Sequence, residues 1–424
     1  MVRYLIALGM CLAAFGLAAC GGGDDDGGDG GGSEAKVLQP AEAEGASGNV
    51  TWCIGKDTSG AFNTAVEQFN QQNPNLNAKL LELPESADIQ REQQIQRLRA
   101  ESSECDVLGM DVIWTAEYAA SGWLYDLTSV VDEHEAEFIP STVETVEYEG
   151  KRWALPFNTN AGFLFYRTDE VPKAPASWED VYAEAQKGNG HVYQGERYEG
   201  LTVNFLELLY SAGGKVLSDD GETVEIDSPE AREVLDFMGE GVEDGAVTKA
   251  VTTYEEESSR RAFEAGKATF MRNWPYAYAL GKESNIAEDF EVATFPGFGG
   301  NEGAGVVGGY NLGISAFSDN PGGSLAFAEF LTTEPVQKEM FVKATLPAVA
   351  TAVYKDPEVK KEIPFTDELL KAVEQAQARP VSPVYTEISE AIFNNVFEVL
   401  NGRQSSEDAA SKMSSEIEDA LQRF

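Results

Sequence analysis

Between residues 49 and 114 the chain alternates three short apolar runs with two segments of helical period, and this alternation restricts the fold more than any other feature. "NVTWCIG", from Asn49, reads as a strand. Phe62, Ala65, Val66 and Phe69 then fall at i, i+3, i+4 and i+7, so a helix follows until Asn73 and Pro74 end it. "LNAKLLEL" is the next strand, a helix opening near Asp88 carries Arg91, Ile95 and Leu98, and "CDVLGMDVIW" is the third strand. A β-α-β-α-β order predicts a parallel sheet covered by helices on both faces. On such sheets ligands bind outside the carboxyl ends of the strands. Asp111, Trp114 and Glu117 stand where the third strand runs out, at that edge.

A second α/β unit starts near Phe157. "AGFLFYR" is a strand, Ser177 and Asp180 form a capping box for a helix at Trp178, and Ser228 with Pro229 opens another. "AGKATFMRNWPYAY" has Gly266 ending a helix, then a strand running out into Trp274 and Tyr276. From Asp367 the tail keeps helical spacing through Leu369 and Val373, Ile388, Ile392 and Val396, and Met413, Ile417 and Leu421. The fold class is therefore α/β, in a chain of 424 residues that is long enough for two domains.

Composition and the N-terminus set the compartment. Against 31 basic residues stand 72 acidic ones, a formal charge of −41, which repels nucleic acid and anionic lipid. No nucleic-acid partner is expected. "MVRYLIALGMCLAAFGLAAC" has Arg3, an apolar run from Tyr4 to Leu17 and small residues before Cys20, the pattern of an export signal. "LAAC" resembles the lipobox of bacterial lipoproteins, which implies a signal over 1–19 and a lipid anchor at Cys20 on the outer face of the cell membrane. The plainer alternative is a secretory signal with an incidental cysteine. The Gly- and Asp-rich stretch 20–48 reads as a flexible tether, with a span on the order of 30 Å. Its aspartates lack the spacing of a calcium loop, so no metal is expected there. Cys53 and Cys105 remain in the folded body, either bridged or as two buried free thiols.

Several motifs weaken in context. "GAGVVG", Gly303 to Gly308, matches a dinucleotide-binding pattern but leads into the strand "YNLGIS" rather than opening a helix, and no phosphate loop is present. No cofactor is expected. The two histidines, His134 and His191, lie far from each other and from cysteine pairs, so both read as surface residues. Asp111 and Glu117 are a candidate carboxylate pair for glycoside hydrolysis, which is the enzymatic alternative. The informative set is aromatic. Trp123 and Trp153 read as core, whereas Trp114, Trp274, Tyr276, Tyr310 and Tyr385 sit beside Asp, Asn, Gly or Pro at expected strand ends. A sugar offers apolar faces for rings and a hydroxyl rim for Asp, Asn and Arg.

At these residues, and over "MDVIWTAEYAASGWLYDLT", "ALPFNTNAGFLFYRTDEVP", "GGYNLGIS" and "ARPVSPVYTEIS", the chain resembles the extracellular solute-binding proteins of bacterial ABC transporters. The similarity is to the oligosaccharide group, in particular its trehalose/maltose branch. It implies a type II periplasmic-binding fold, two doubly wound lobes joined by a hinge, with 49–157 plus 297–346 forming one lobe and 158–296 plus 347–424 the other. It further implies a monomer that binds a disaccharide or small oligosaccharide without turnover and hands it to a permease. By position, Arg91 and Asp111 would bind hydroxyls and Trp274 and Tyr276 would flank a ring. Gly309 and Tyr310 would line the cleft, Arg379 and Tyr385 would close its far side, and Thr58 and Ser59 would add polar contacts. Asn158 and Asn160 stand where a relative has an aromatic and an acid, a departure that bears on which sugar fits. Other expectations are a receptor of this fold for a peptide or polyamine, and a surface lipoprotein that binds nothing small.

Overall fold

The computed structural model describes residues 35–218 and 221–423. The signal sequence and Cys20 lie outside the described residues. The strands that matter are β1 Gly48–Gly55, β2 Leu76–Leu83, β3 Val107–Asp111, β4 Leu155–Asn160, β5 Phe163–Arg167, β6 His191–Val192, β7 Phe270–Asn273, β8 Phe290–Ala293 and β9 Gly308–Ile314. They form two sheets. The first has the order β2-β1-β3-β9-β4 and the second β8-β5-β7-β6.

In the first sheet β1 pairs in parallel with β2 and β3, as the alternation predicts. The later strand β9 inserts antiparallel between β3 and β4. A purely parallel sheet is thus not what forms, because β9 arrives from the other sheet and enters from the opposite end. The helices α1 Ala61–Gln72 and α2 Ala87–Arg99 connect the first three strands. One face of this sheet packs into a core of Trp52, Phe62, Phe69, Phe157 and Phe327, with Trp52 and Phe62 rings 4.9 Å apart. On the other side Cys53 and Cys105 are joined in a disulfide, Cα atoms 5.6 Å apart.

The second lobe gathers around α3 Glu199–Ser211, which is buried along its whole length, its polar Glu199, Asn204 and Glu207 included. The helices α4 Pro229–Glu243, α5 Glu256–Glu264, α6 Tyr385–Leu400 and α7 Ser406–Arg423 surround it or its sheet. The helical period of the tail is realised: Ile388, Ile392, Val396, Met413 and Ile417 are fully buried. Ser177 and Ser228 cap their helices by accepting from Asp180 N and Ala231 N. Among the described residues no helix is long and apolar enough to cross a membrane.

Three sequence readings change. Residues 35–47, expected within the tether, pack on the first lobe: Leu38 is 1% exposed and its N–H donates to Asp126 O at 3.0 Å. The tether composition ends before Val37 and Leu38, and the buried Leu38 side chain holds the stretch down, while Val37 stays exposed. His191, expected at the surface, is buried among Trp178, Tyr182 and Tyr193, where burial pulls its pKa down to about 3. Trp153 is core as expected, while Trp123 is only half-buried.

Candidate ligand-binding cleft

The ends of β1, β3, β4, β7 and β9 and the N-termini of α2, α3 and α5 surround a cleft of about 1260 Å³, continuous with solvent. Strand register builds its floor. Tyr310 of β9 lies opposite Asp111 of β3 on one side and Asn158 of β4 on the other, so the three side chains share one sheet edge. The register slips at Tyr310/Asn311, a bulge that lets this edge bend toward the second lobe. Gly309 has φ +122°, and a Cβ there would run into the Asn158 carbonyl, so only glycine allows this approach. Asn158 is buried; its Oδ1 accepts from Tyr310 N at 3.0 Å while its Nδ2 has no protein partner. That amide is a donor held at the cleft wall.

Arg379 closes one end. Its side chain is 2% exposed, with Nη2 2.7 Å from Asp111 Oδ1 in the first lobe and Nη1 2.7 Å from Glu199 Oε1 at the start of α3. Burial opposes its charge, but Asp111, Tyr385 and Glu199 overcome this and raise its pKa above the ordinary arginine value. Burial also raises the Glu199 carboxyl, partly offset by Arg379 and by hydrogen bonds from Ser389 and from Tyr385 OH, the latter at 2.7 Å. A second carboxyl lies beside it: Asp88, on α2, where burial and the nearby Glu199 charge push its pKa up to about 7.

The opposite rim is acidic. Glu255, Glu256 and Glu257 open α5; burial and Glu256 push Glu255 up to about 6, with Ser86 of the first lobe lowering it in part. Burial opposes the Glu257 charge too, yet Arg260, which donates from Nε at 3.0 Å, and Tyr276 OH at 2.9 Å hold that carboxyl below its usual range. Lys56 and Glu85 pair at 2.9 Å on the exposed edge.

Ten of the fourteen residues predicted to bind ligand line this cleft: Thr58, Ser59, Asp111, Asn158, Asn160, Trp274, Tyr276, Gly309, Tyr310 and Arg379. The other four do not. Arg91, Trp114 and Tyr385 line a separate chamber of about 670 Å³ that shares Glu199 with the cleft. Glu117 is held by Arg91, Nε to Oε2 at 2.8 Å, and lines neither. Trp114 is 2% exposed because a short 3-10 turn, Val112–Trp114, carries its ring inward beside Tyr118. Tyr385 is equally buried, behind Glu199.

Sequence reasoning missed Lys56, Gln90, Tyr198, Glu199 and the Glu255–Glu257 run. Acidic residues in a first helical turn are ordinary capping chemistry, and nothing local marks these as facing another lobe. "GAGVVG" does lead into β9, as its context predicts. Among the described residues no group of three or more His, Cys, Asp or Glu side chains is placed to hold a metal ion.

Known proteins agree with this architecture. The sequence profile of the bacterial extracellular solute-binding proteins matches residues 55–338. A probable ABC transporter-binding protein of Deinococcus radiodurans is 34% identical over 344 residues, 76% of this chain and 81% of that protein. The maltose-bound MalE3 of T. maritima superposes with a TM-score of 0.84 at 36% identity, covering 89% of this chain and all of that one. The GacH receptor of Streptomyces glaucescens, solved with acarbose, shares the fold at 23% identity and a TM-score of 0.80, covering 89% and 99% of the two chains. With the profile spanning more than half its length and a two-lobed cleft of this construction, the chain belongs to the bacterial extracellular solute-binding proteins.

Proposed function

We propose that this protein is the receptor of an ABC sugar importer, taking a maltose- or trehalose-like oligosaccharide into the cleft and delivering it to a membrane permease. The observation that carries the reading is the pairing, in one cleft, of the rings of Trp274 and Tyr310 with Asp111, Asn158 and Arg379, an apolar platform ringed by hydroxyl-binding groups. The buried Asn158 Nδ2, unsatisfied by protein, is suited to a sugar hydroxyl. The maltose bound by the T. maritima relative supports the sugar class. In this reading the lobes are 35–157 plus 297–346 and 158–296 plus 347–424, and a sugar touching both favours the form in which they meet. A lipid anchor at Cys20 would keep the receptor beside its permease on the outer face of the membrane.

No catalytic step is included. Asp111 and Glu117 are each paired with a guanidinium, Arg379 and Arg91 respectively, and Glu117 does not line the cleft. A second reading, an amine-bearing ligand, is favoured by the charge of the lining: Asp57, Glu85, Asp111, Glu199, Glu255, Glu256 and Glu257 against Lys56 and Arg379. Of that set only Glu256, which accepts from Tyr198 OH at 2.7 Å, lacks both a cationic partner and a helix end to cap, since Glu255 is the N-cap of α5, so the excess is small.

The test is thermal unfolding of the purified protein with maltose, trehalose, sucrose, longer glucans, peptides and polyamines. Ligand at about one hundred times its dissociation constant stabilises by roughly 2.7 kcal/mol, a shift of several degrees. A shift with a glucan that is recovered intact supports the receptor. A shift with polyamines alone selects the second reading, and cleavage of the glucan refutes the non-enzymatic one.

A further inference from the structure

Trp274 follows β7, two residues beyond Arg272, so both side chains leave the same face of the strand. The Arg272 guanidinium carbon stands over the Trp274 ring, 4.0 Å from its centroid. Arg272 is 1% exposed, and so is its partner Glu207 on α3; Nε donates to Oε2 at 2.7 Å and Nη2 donates to Oε1. Nη1 donates to Gln194 Oε1 at 3.0 Å, and Gln194 is itself held by Ser259, Asn204 and the Arg272 carbonyl. Gly162, where the chain crosses between sheets, lies so close that a Cβ would overlap Glu207 and stand 2.9 Å from Arg272 Nη2. At the far edge of the ring a Cβ on Gly308 would be 2.8 Å from Trp274 Cη2.

A buried ion pair of this kind is a weak source of stability, since apolar residues of similar volume commonly do as well. What it supplies is geometry. Glu207 fixes the plane of the guanidinium through two parallel hydrogen bonds, and that plane stacks on one face of the indole. With Gly308 against the distal edge, the ring has one orientation at the cleft wall. We infer that Arg272, locked by Glu207 and Gln194, is a positioning residue that sets the angle at which Trp274 meets ligand. This rests on the sugar reading of the cleft.

The experiment measures maltose affinity by calorimetry, beside thermal unfolding, for the wild type, Arg272→Lys, Glu207→Gln, Trp274→Ala and the double variant of Arg272→Lys with Trp274→Ala. Lysine keeps a charge for Glu207 but has no plane to stack. The expected result is about a tenfold loss of affinity for Arg272→Lys, and less than about twofold further loss when the same change is made on Trp274→Ala. Glu207→Gln, which leaves the guanidinium in place with a looser partner, is expected to lose less, and it carries the test if the lysine variant does not fold. Arg272→Lys binding as tightly as wild type, or losing the same factor in both backgrounds, overturns the inference while leaving the receptor reading intact. Failure of the wild type to bind maltose, trehalose or any longer glucan overturns both.

Discussion

Asp88 should make sugar binding a proton-linked event. It lies at the start of α2 in the first lobe, with Glu199, Glu390 and Arg91 the charged groups around it. With the lobes apart its carboxyl is hydrated and titrates near the ordinary 3.8; with the lobes together, burial and Glu199 push it up to about 7. The sign follows from linkage. A carboxyl whose pKa rises on closure takes up a proton as the lobes meet, so closure is favoured below about pH 4, and the advantage is lost as pH climbs to about 7. Above that, both forms are ionised and affinity is flat. The slope approaches tenfold in affinity per pH unit in the middle of this window. Glu255, pushed up to about 6 at the other rim, adds in the same direction. Calorimetry with maltose at pH 5, 6, 7 and 8 should show affinity falling by about tenfold or more from 5 to 7 and then levelling. Asp88→Asn, which keeps the size of the side chain without a titrating group, should flatten most of the slope, and adding Glu255→Gln should remove the rest. Affinity that rises with pH, or an unchanged profile in Asp88→Asn, would refute the reasoning.

Three further outcomes follow from the same contacts. Arg379→Met leaves Asp111 and Glu199 facing each other in a buried site, and should cost about 3–5 kcal/mol in urea unfolding as well as most of the sugar affinity; a loss under 1 kcal/mol would mean the network is hydrated. Replacing both Cys53 and Cys105 by alanine opens a crosslink with a sequence separation of 52, worth about 4 kcal/mol by loop closure, and should lower the urea midpoint with little effect on affinity measured below it. Trp114→Phe, a core change beside Tyr118, should cost about 1–3 kcal/mol of stability and leave maltose affinity within twofold, the opposite pattern to Trp274→Ala.

The contrast between Trp114 and Trp274 shows where local reading stops. Both are tryptophans just past the end of an apolar strand, beside polar residues, and both look alike from sequence. A single 3-10 turn carries one ring into the core, while Arg272 beneath the other and Gly308 at its edge hold it at the cleft. Arg91 and Glu117 were each legible as charged residues near the ligand edge, but they satisfy one another, and that pairing depends on the angle at which α2 packs. His191 likewise carries no clear local mark of burial; the rings of Trp178 and Tyr182 close over it beside the adjacent Tyr193.

By itself the sequence determined what depends on short-range pattern: the α/β class, the first three parallel strands, the helical tail, and a ligand edge at the ends of strands, because periodicities of two and 3.6 residues decide which side chains share a face. Only the tertiary structure decided which of the many carboxylates do more than solvate the surface. Arg379 meets Glu199 and Asp111 across sequence separations of 180 and 268 residues. The sequence placed Asp111 at the ligand edge, but in a chain with 72 acidic residues no local signal joins it to Glu199. The selection is made when two lobes exclude water from the same few ångströms, where an unpaired charge is too costly to remain.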